Sequence, residues 1–186
     1  MQDSEIVELY WSRSENAIAE TGTKYGTFLH GIAFNILDSN EDSDECVNDT
    51  YLKTWNSVPP NKPIKLGAYL AAITRNLAIT VFRSRNTASR SGSQYALSLD
   101  ELAECVSGGE TPELQAESGM ITRTINEYLR SLSTDARVIF VCRYFYNDSI
   151  NRIAGYFGAS ESKVKSSLFR TRKGLKKYLE EKGIEV

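Results

Sequence analysis

The sequence predicts an all-α protein made of two small helical domains joined by a flexible linker. Three observations predict it. Apolar residues recur at helical spacing in both halves of the 186-residue chain, and strand-like alternation is nearly absent. The stretch between the halves is small, polar and acidic. Charge is laid down in blocks that change where the periodicity changes. The expected boundaries are 1–88 for the first domain, 89–120 for the linker and 121–186 for the second domain.

The first domain opens its helical pattern with Tyr25, Phe28, Leu29, Ile32, Ala33 and Ile36, which follow the i, i+3, i+4, i+7 template. Val47, Tyr51, Leu52 and Trp55 continue it, and Val47, Leu52 and Trp55 are expected in a core. SVPPNKP, residues 57–63, holds three of the four prolines and breaks the helices on either side. A further helix follows in LGAYLAAITRNLAITVF, with Leu66, Tyr69, Leu70, Ile73, Leu77 and Val81 on one stripe. From Asn86 to about Gly119 the runs NTASRSGSQ and SGGETPE read as linker. Only Leu97, Leu99 and Leu102 offer apolar footing there, with one helical turn expected in LDELAE. Periodicity resumes at Ile121, Ile125, Tyr128, Leu129 and Leu132. Ser133-Thr134-Asp135 then supplies N-cap chemistry for a helix carrying Val138, Ile139, Val141, Cys142 and Phe145.

The bulk composition excludes several function classes. No unbroken apolar run approaches the length of a membrane span, so no membrane insertion is expected. The start, MQDSEIVEL, lacks the basic and apolar regions of a secretory signal. Three widely spaced cysteines without a CxxC pair, and the single histidine His30, leave no metal-ligand spacing. No cofactor is expected. Neither a nucleophile–base pair nor a phosphate-cradling glycine loop is visible, so the protein is expected not to be an enzyme, and His30 reads as structural. The expected location is the cytoplasm.

A formal net charge of -2 hides opposed blocks. Residues 1–58 hold 3 Lys+Arg against 11 Asp+Glu, and residues 62–90 hold 6 cations and no acid. Residues 91–120 hold 6 acids and no cation, and residues 160–182 hold 8 cations against 3 acids. Two basic blocks suggest polyanion contact at two places, and the acidic first block suggests a protein partner. Each block alone is equally consistent with a solvated helix face.

The last two helices carry the sharpest local signal. Ile150, Ile153, Ala154 and Phe157 form an amphipathic helix that ends at Gly158, a residue suited to a left-handed cap. Ser160 caps the next helix. Ala154, Gly158 and Val164 sit at the spacing of a helix-turn-helix, in which Ala allows close approach, Gly makes the turn and Val fills the space between helices. At 100° per residue, Val164, Leu168, Leu175 and Leu179 form one narrow seam. Seven cations from Lys163 to Lys177 occupy the opposite arc, together with Ser166 and Phe169. A recognition helix uses early residues on base edges and later cations on phosphates. Ser162, Lys165, Ser166, Phe169 and Arg170 are therefore expected in the groove. Lys163 shares the cationic arc near the helix start, and Arg172, Lys173, Lys176 and Lys177 are phosphate or partner contacts. The helix-turn-helix alone fits a free-standing repressor or activator just as well.

The string EDSDECVNDTYLKTWNSVPP, followed by KLGAYLAAITRNLAITVFRSRN, resembles regions 2.2 to 2.4 of bacterial RNA polymerase sigma factors of the sigma-70 family, in the extracytoplasmic-function (ECF) group. The matching residues include Asp42, Asp44, Glu45, Val47, Asn48, Asp49, Tyr51, Leu52 and Trp55, then Tyr69, Leu70, Arg75, Asn76 and Leu77. The segment from Ser131 to Leu175 is similar to region 4 of the family. The usual acid-led pair after Asn-Leu-Ala is Thr80-Val81 here, Leu132-Ser133 stands for Leu-Pro, Ser167 stands where a second basic residue is usual, and Arg152 replaces a common acid. The resemblance implies a non-catalytic subunit that directs core polymerase to promoters and assists melting. It implies that Asp42, Asp44, Glu45, Asn48, Asp49 and Tyr51 grip the clamp helices of the largest polymerase subunit, with the polymerase flap as a further contact. It implies that Lys65, Tyr69, Arg75, Asn76, Arg83 and Arg85 meet the downstream (minus-ten) promoter element, although Tyr69 at helical spacing also reads as a core aromatic. The C-terminal helix is implied to read the upstream (minus-thirty-five) element as duplex. Many relatives also have an anti-sigma factor as partner.

Overall fold

The computed structural model describes residues 1–85, 94–103 and 114–184, with the backbone alone for residues 85, 103 and 114–120. The described residues are helical, with no strand among them, and divide into two units, Met1–Ser93 and Gln94–Val186. The all-α expectation with two helical domains holds.

The first unit contains α1 (Asp3–Trp11), α2 (Asn16–Leu37), α3 (Asn40–Ser57) and α4 (Leu66–Arg85). α2, α3 and α4 pack against one another, and α1 lies on α2 and α4. Asp38 ends α2 in the left-handed region (φ 53°), and Ser39 caps α3 by accepting from the Asp42 amide at 3.3 Å. Pro59 and Pro60 follow α3 and have no N–H to extend it. Ile6, Val7, Tyr10, Ala17, Leu29, Val47, Val58, Leu66 and Leu70 form the buried core. Four threonines are buried among the helices, each with its hydroxyl within hydrogen-bond distance of the carbonyl one turn earlier. Thr50 and Thr74 also meet at 2.9 Å, tying α3 to α4, so these polar atoms are satisfied where water is excluded.

The second unit contains α5 (Gln94–Ala103), α6 (Leu114–Ser131), α7 (Thr134–Tyr144), α8 (Ile150–Phe157) and α9 (Glu161–Glu181). Ser133, Ser149 and Ser160 each cap the helix that follows, accepting from the amide three residues on. Ile139, Phe140, Ile153, Ala154 and the α9 seam residues Val164, Leu168, Leu175 and Leu179 form its core. Gly158 closes α8 with φ 55°, as the helix-turn-helix spacing requires.

The segment expected as linker carries more helix than one turn. α5 runs for ten residues and packs on α7 within the second unit. Its footing is not Leu97 and Leu99, which are exposed, but Tyr95, Ser98, Leu102 and Glu101. Ser98 donates to the Asn147 side chain at 2.9 Å, and Asn147 is itself buried in a left-handed turn (φ 56°) between α7 and α8. The physical reason lies in Arg143, only 2% exposed. Its guanidinium donates to both carboxylate oxygens of Glu101 (2.6 and 3.2 Å), to the Gln94 side chain and to the Asp148 carbonyl. A buried arginine needs such partners, and α5 supplies two of them. Residues 86–93 and 104–113 of the expected linker lie outside the described residues.

Candidate nucleic-acid and partner interfaces

α9 separates its two tasks by face. The seam of Val164, Leu168, Leu175 and Leu179 is buried against α6, α7 and α8, which fixes the rotation of the helix. Ser162, Lys163, Lys165, Ser166, Arg170 and Lys173 are then all exposed. Phe169 is 59% exposed, a large apolar side chain that adds nothing to the core. Lys165, Ser166, Phe169 and Arg170 line one shallow open hollow on this face. Arg170 bonds back to the Ser166 carbonyl at 3.3 Å, and Lys165 lies 3.7 Å from Glu161 one turn earlier, an exposed pair of little energetic weight.

Arg172 departs from the expectation of an open phosphate contact. Its side chain is 13% exposed, donates to the Tyr144 hydroxyl at 2.8 Å and lies 3.6 Å from Glu101. Tyr144 in turn donates to Glu101 at 2.9 Å. Arg172 thus joins the same polar cluster that docks α5. Burial alone would raise the Glu101 carboxyl. The Arg143 hydrogen bond and charge, the Tyr144 hydroxyl and Arg172 outweigh it and hold the group below the ordinary carboxylate value. At 100° per residue Arg172 falls about 80° from Val164, at the edge of the arc beside Leu179, whereas Lys173 falls at about 180°, so the wheel marks Arg172 as the cation nearest the seam.

In the first unit, Asp44, Glu45, Asn48 and Asp49 form an exposed stripe along α3. Asp42 sits in the first turn, half-buried beside its capping serine. Leu52, expected in the core, is instead 57% exposed and continues this stripe one turn on. At 100° per residue Leu52 falls about 140° from Val47, among Asn48 and Asp49, so its pairing with Trp55 at i+3 is misleading and the full wheel sets it on the exposed side. Tyr51, expected among the acidic contacts, is half-buried with its hydroxyl over Gly22 and Gly26 of α2. His30 lies 3.5 Å from Asp44 and stacks on Phe34, a surface arrangement in keeping with a structural role.

The basic segment spans α4 and the loop before it. Lys65, Asn76 and Arg83 are exposed. Arg75 is half-buried, and the side chain of Arg85 lies outside the described residues. Tyr69 is half-buried against the core and donates to Ser57 at 2.8 Å, which ties the start of α4 to the end of α3 and favours the core reading of its ring. At the loop tip Ile64 is 95% exposed. Among the described residues, no His, Cys, Asp and Glu come together as a metal site, and no helix is long and apolar enough to cross a membrane.

No curated protein matches the chain. One chain in the solved structure described as "Structure of CnrH in complex with the cytosolic domain of CnrY" resembles it at 20% identity and a TM-score of 0.45, covering 96% of this chain and 97% of that one. Residues 23–87 match Sigma-70 region 2, which takes in most of α2, all of α3 and α4 and the loop between them. Residues 122–175 match Sigma-70, region 4, which takes in the helix-turn-helix and most of α9. Together the two matches cover well over half of the chain, in that order, and the protein is therefore a chain of the sigma-70 family, with a region 2 domain followed by a region 4 domain.

Proposed function

We propose that this protein is a sigma factor of the ECF group, a non-catalytic subunit that brings core RNA polymerase to a set of promoters and assists their melting. One observation carries the reading beyond DNA binding alone. The basic, seam-anchored face of α9 and the acidic stripe of α3 lie in separately folded units, each inside a match to a different sigma-70 region. A repressor needs only the first. In this reading Asp44, Glu45, Asn48, Asp49 and the exposed Leu52 meet the clamp helices of the largest polymerase subunit, with the flap as a second polymerase contact. The exposed cations of α9 hold duplex phosphates at the upstream element, and Ser166, Phe169 and Arg170 select its sequence. Lys65, Arg75, Asn76 and Arg83 serve the opened strand at the downstream element, where cations track the backbone and splayed bases need pockets. The protein acts in the cytoplasm, and an anti-sigma factor is the expected regulator.

The test separates the two surfaces. Asp49→Lys should weaken binding to purified core polymerase about tenfold, a loss of about 1.4 kcal/mol from one reversed contact. The same variant should leave binding to duplex promoter DNA, measured on the full chain, unchanged. Equal loss of both would mean that the acidic stripe has no separate partner.

A further inference from the structure

We propose that α1, which precedes the residues matched to region 2, is a brace that presets the loop between α3 and α4 for the opened strand, with Glu8 and Asp3 as its positioning residues. The inference rests on the opened-strand role proposed above for Lys65 of that loop, extended here to the loop as a whole.

The loop begins after Val58 and ends before Leu66, and both anchors are fully buried in the core cluster that holds Ile6, Val7 and Tyr10 of α1. Between the anchors, α1 reaches the loop again from outside. Glu8 accepts from the Lys62 ammonium at 2.5 Å, and that ammonium lies 5.6 Å from the centre of the Trp11 ring. The third attachment is at the start of α4. Lys65 stands just before Leu66 and has no acceptor with which to cap the helix. Asp3 of α1 lies beside that helix start. Its carboxylate accepts from Lys24 at 2.6 Å and from the Tyr25 hydroxyl at 2.5 Å, and the Tyr25 ring lies against Gly67 in the first turn of α4. An acid at a helix N-terminus is electrostatically favoured. Gly67 makes room for this arrangement, since a Cβ there would come within 2.9 Å of the Tyr25 ring.

The Glu8–Lys62 pair is exposed on both sides, so it contributes little to fold stability. Its consequence is geometric. Lys62 is turned to α1, and Asn61, Ile64 and Lys65 are left at the exposed tip. A loop already ordered before it meets the strand loses less conformational freedom on capture. An isoleucine held almost wholly in water, between two lysines, is placed to wedge beside an unstacked base.

The test uses the full chain, first alone and then with core polymerase. In the chain alone, Glu8→Gln should speed amide exchange at Asn61, Lys62, Ile64 and Lys65, with exchange in α2 and the melting temperature unchanged. In the polymerase complex, a 2-aminopurine probe in the downstream element should report strand opening three- to tenfold slower for Glu8→Gln, at equal core affinity. The charge-swapped Glu8→Lys/Lys62→Glu variant should recover the rate, because it restores the attachment without restoring the lysine. Faster opening in Glu8→Gln would overturn the brace, since Glu8 would then be withholding Lys62 from DNA. Unchanged loop exchange would overturn it too, as would a swapped variant that opens no better than the single one. A wild-type complex that opens no promoter would instead overturn the assignment of the loop to DNA, and loop exchange alone would decide whether α1 holds it.

Discussion

At the scale of single residues, Phe169 and Arg172 exchange the roles that their chemistry suggests. Phe169 is the apolar one and lies in water, and Arg172 is the charged one and is mostly covered. Their substitutions should therefore separate cleanly. Phe169→Ala should leave the urea midpoint of the chain unchanged and reduce its preference for specific over random duplex about tenfold, the scale of one lost base contact at ~1–3 kcal/mol. Arg172→Ala should lower stability by about 1–3 kcal/mol, since it removes a charged donor from Tyr144 and a cation from beside Glu101. Its effect on the salt dependence of DNA binding should be smaller than that of Lys173→Ala, which removes an exposed cation and should take away about one unit of slope if that cation meets phosphate as proposed. Equal behaviour of the two cations would contradict the geometry. The wheel places Arg172 at the seam edge of the cationic arc and Lys173 opposite the seam, but the partners that cover Arg172 come from α5 and α7 and could not be read from α9 alone.

At the scale of elements, legibility followed the kind of contact that holds each helix. α9 could be read almost completely, because its seam is apolar and periodic and its cap and preceding turn use Ser160 and Gly158. α5 was visible only as a turn, because it is held by Glu101, Gln94 and Ser98 rather than by an apolar stripe. α1, nine residues long, is too short for periodicity to show, and its links to the loop are long-range. In α3 Leu52 read as core from its i+3 spacing to Trp55 although it lies among Asn48 and Asp49 on the wheel, and Tyr51 read as surface although it lies about 40° from the buried Val47. The polar docking of α5 makes a prediction of its own. Glu101→Ala should destabilise the second unit by about 3 kcal/mol, because it leaves the buried Arg143 without its main counter-charge. The pH sense follows from the lowered carboxyl. Its contribution is complete above the ordinary value of 4.5 and is lost as pH falls from there through the folded value. Unfolding below about pH 4.5 should therefore steepen in the wild type and flatten in Glu101→Gln. Identical acid profiles would place the cluster outside the stability of the unit.

At the scale of the whole molecule, the charge blocks divide between internal and external work. Part of the acidic first block is used within the first unit, by Asp3 on Lys24 and by Glu8 on Lys62. The stripe from Asp44 to Asp49 meets no lysine or arginine of its own unit within ion-pairing distance among the described residues, which suits an external partner. In the second unit Glu101 is consumed by Arg143 and Arg172, Lys176 is half-buried, and Lys163, Lys165, Arg170, Lys173 and Lys177 of α9 are exposed. Under the proposed function the acidic face meets a protein and the two basic faces meet DNA, and the chain should work only when all three are engaged together. The most direct measurement is run-off transcription with purified core RNA polymerase and a library of genomic promoter fragments. Promoter-specific transcripts should require this protein and be lost on Asp49→Lys and on Arg170→Ala. Failure to co-purify with core polymerase, or the same transcripts without the protein, would contradict the proposed function.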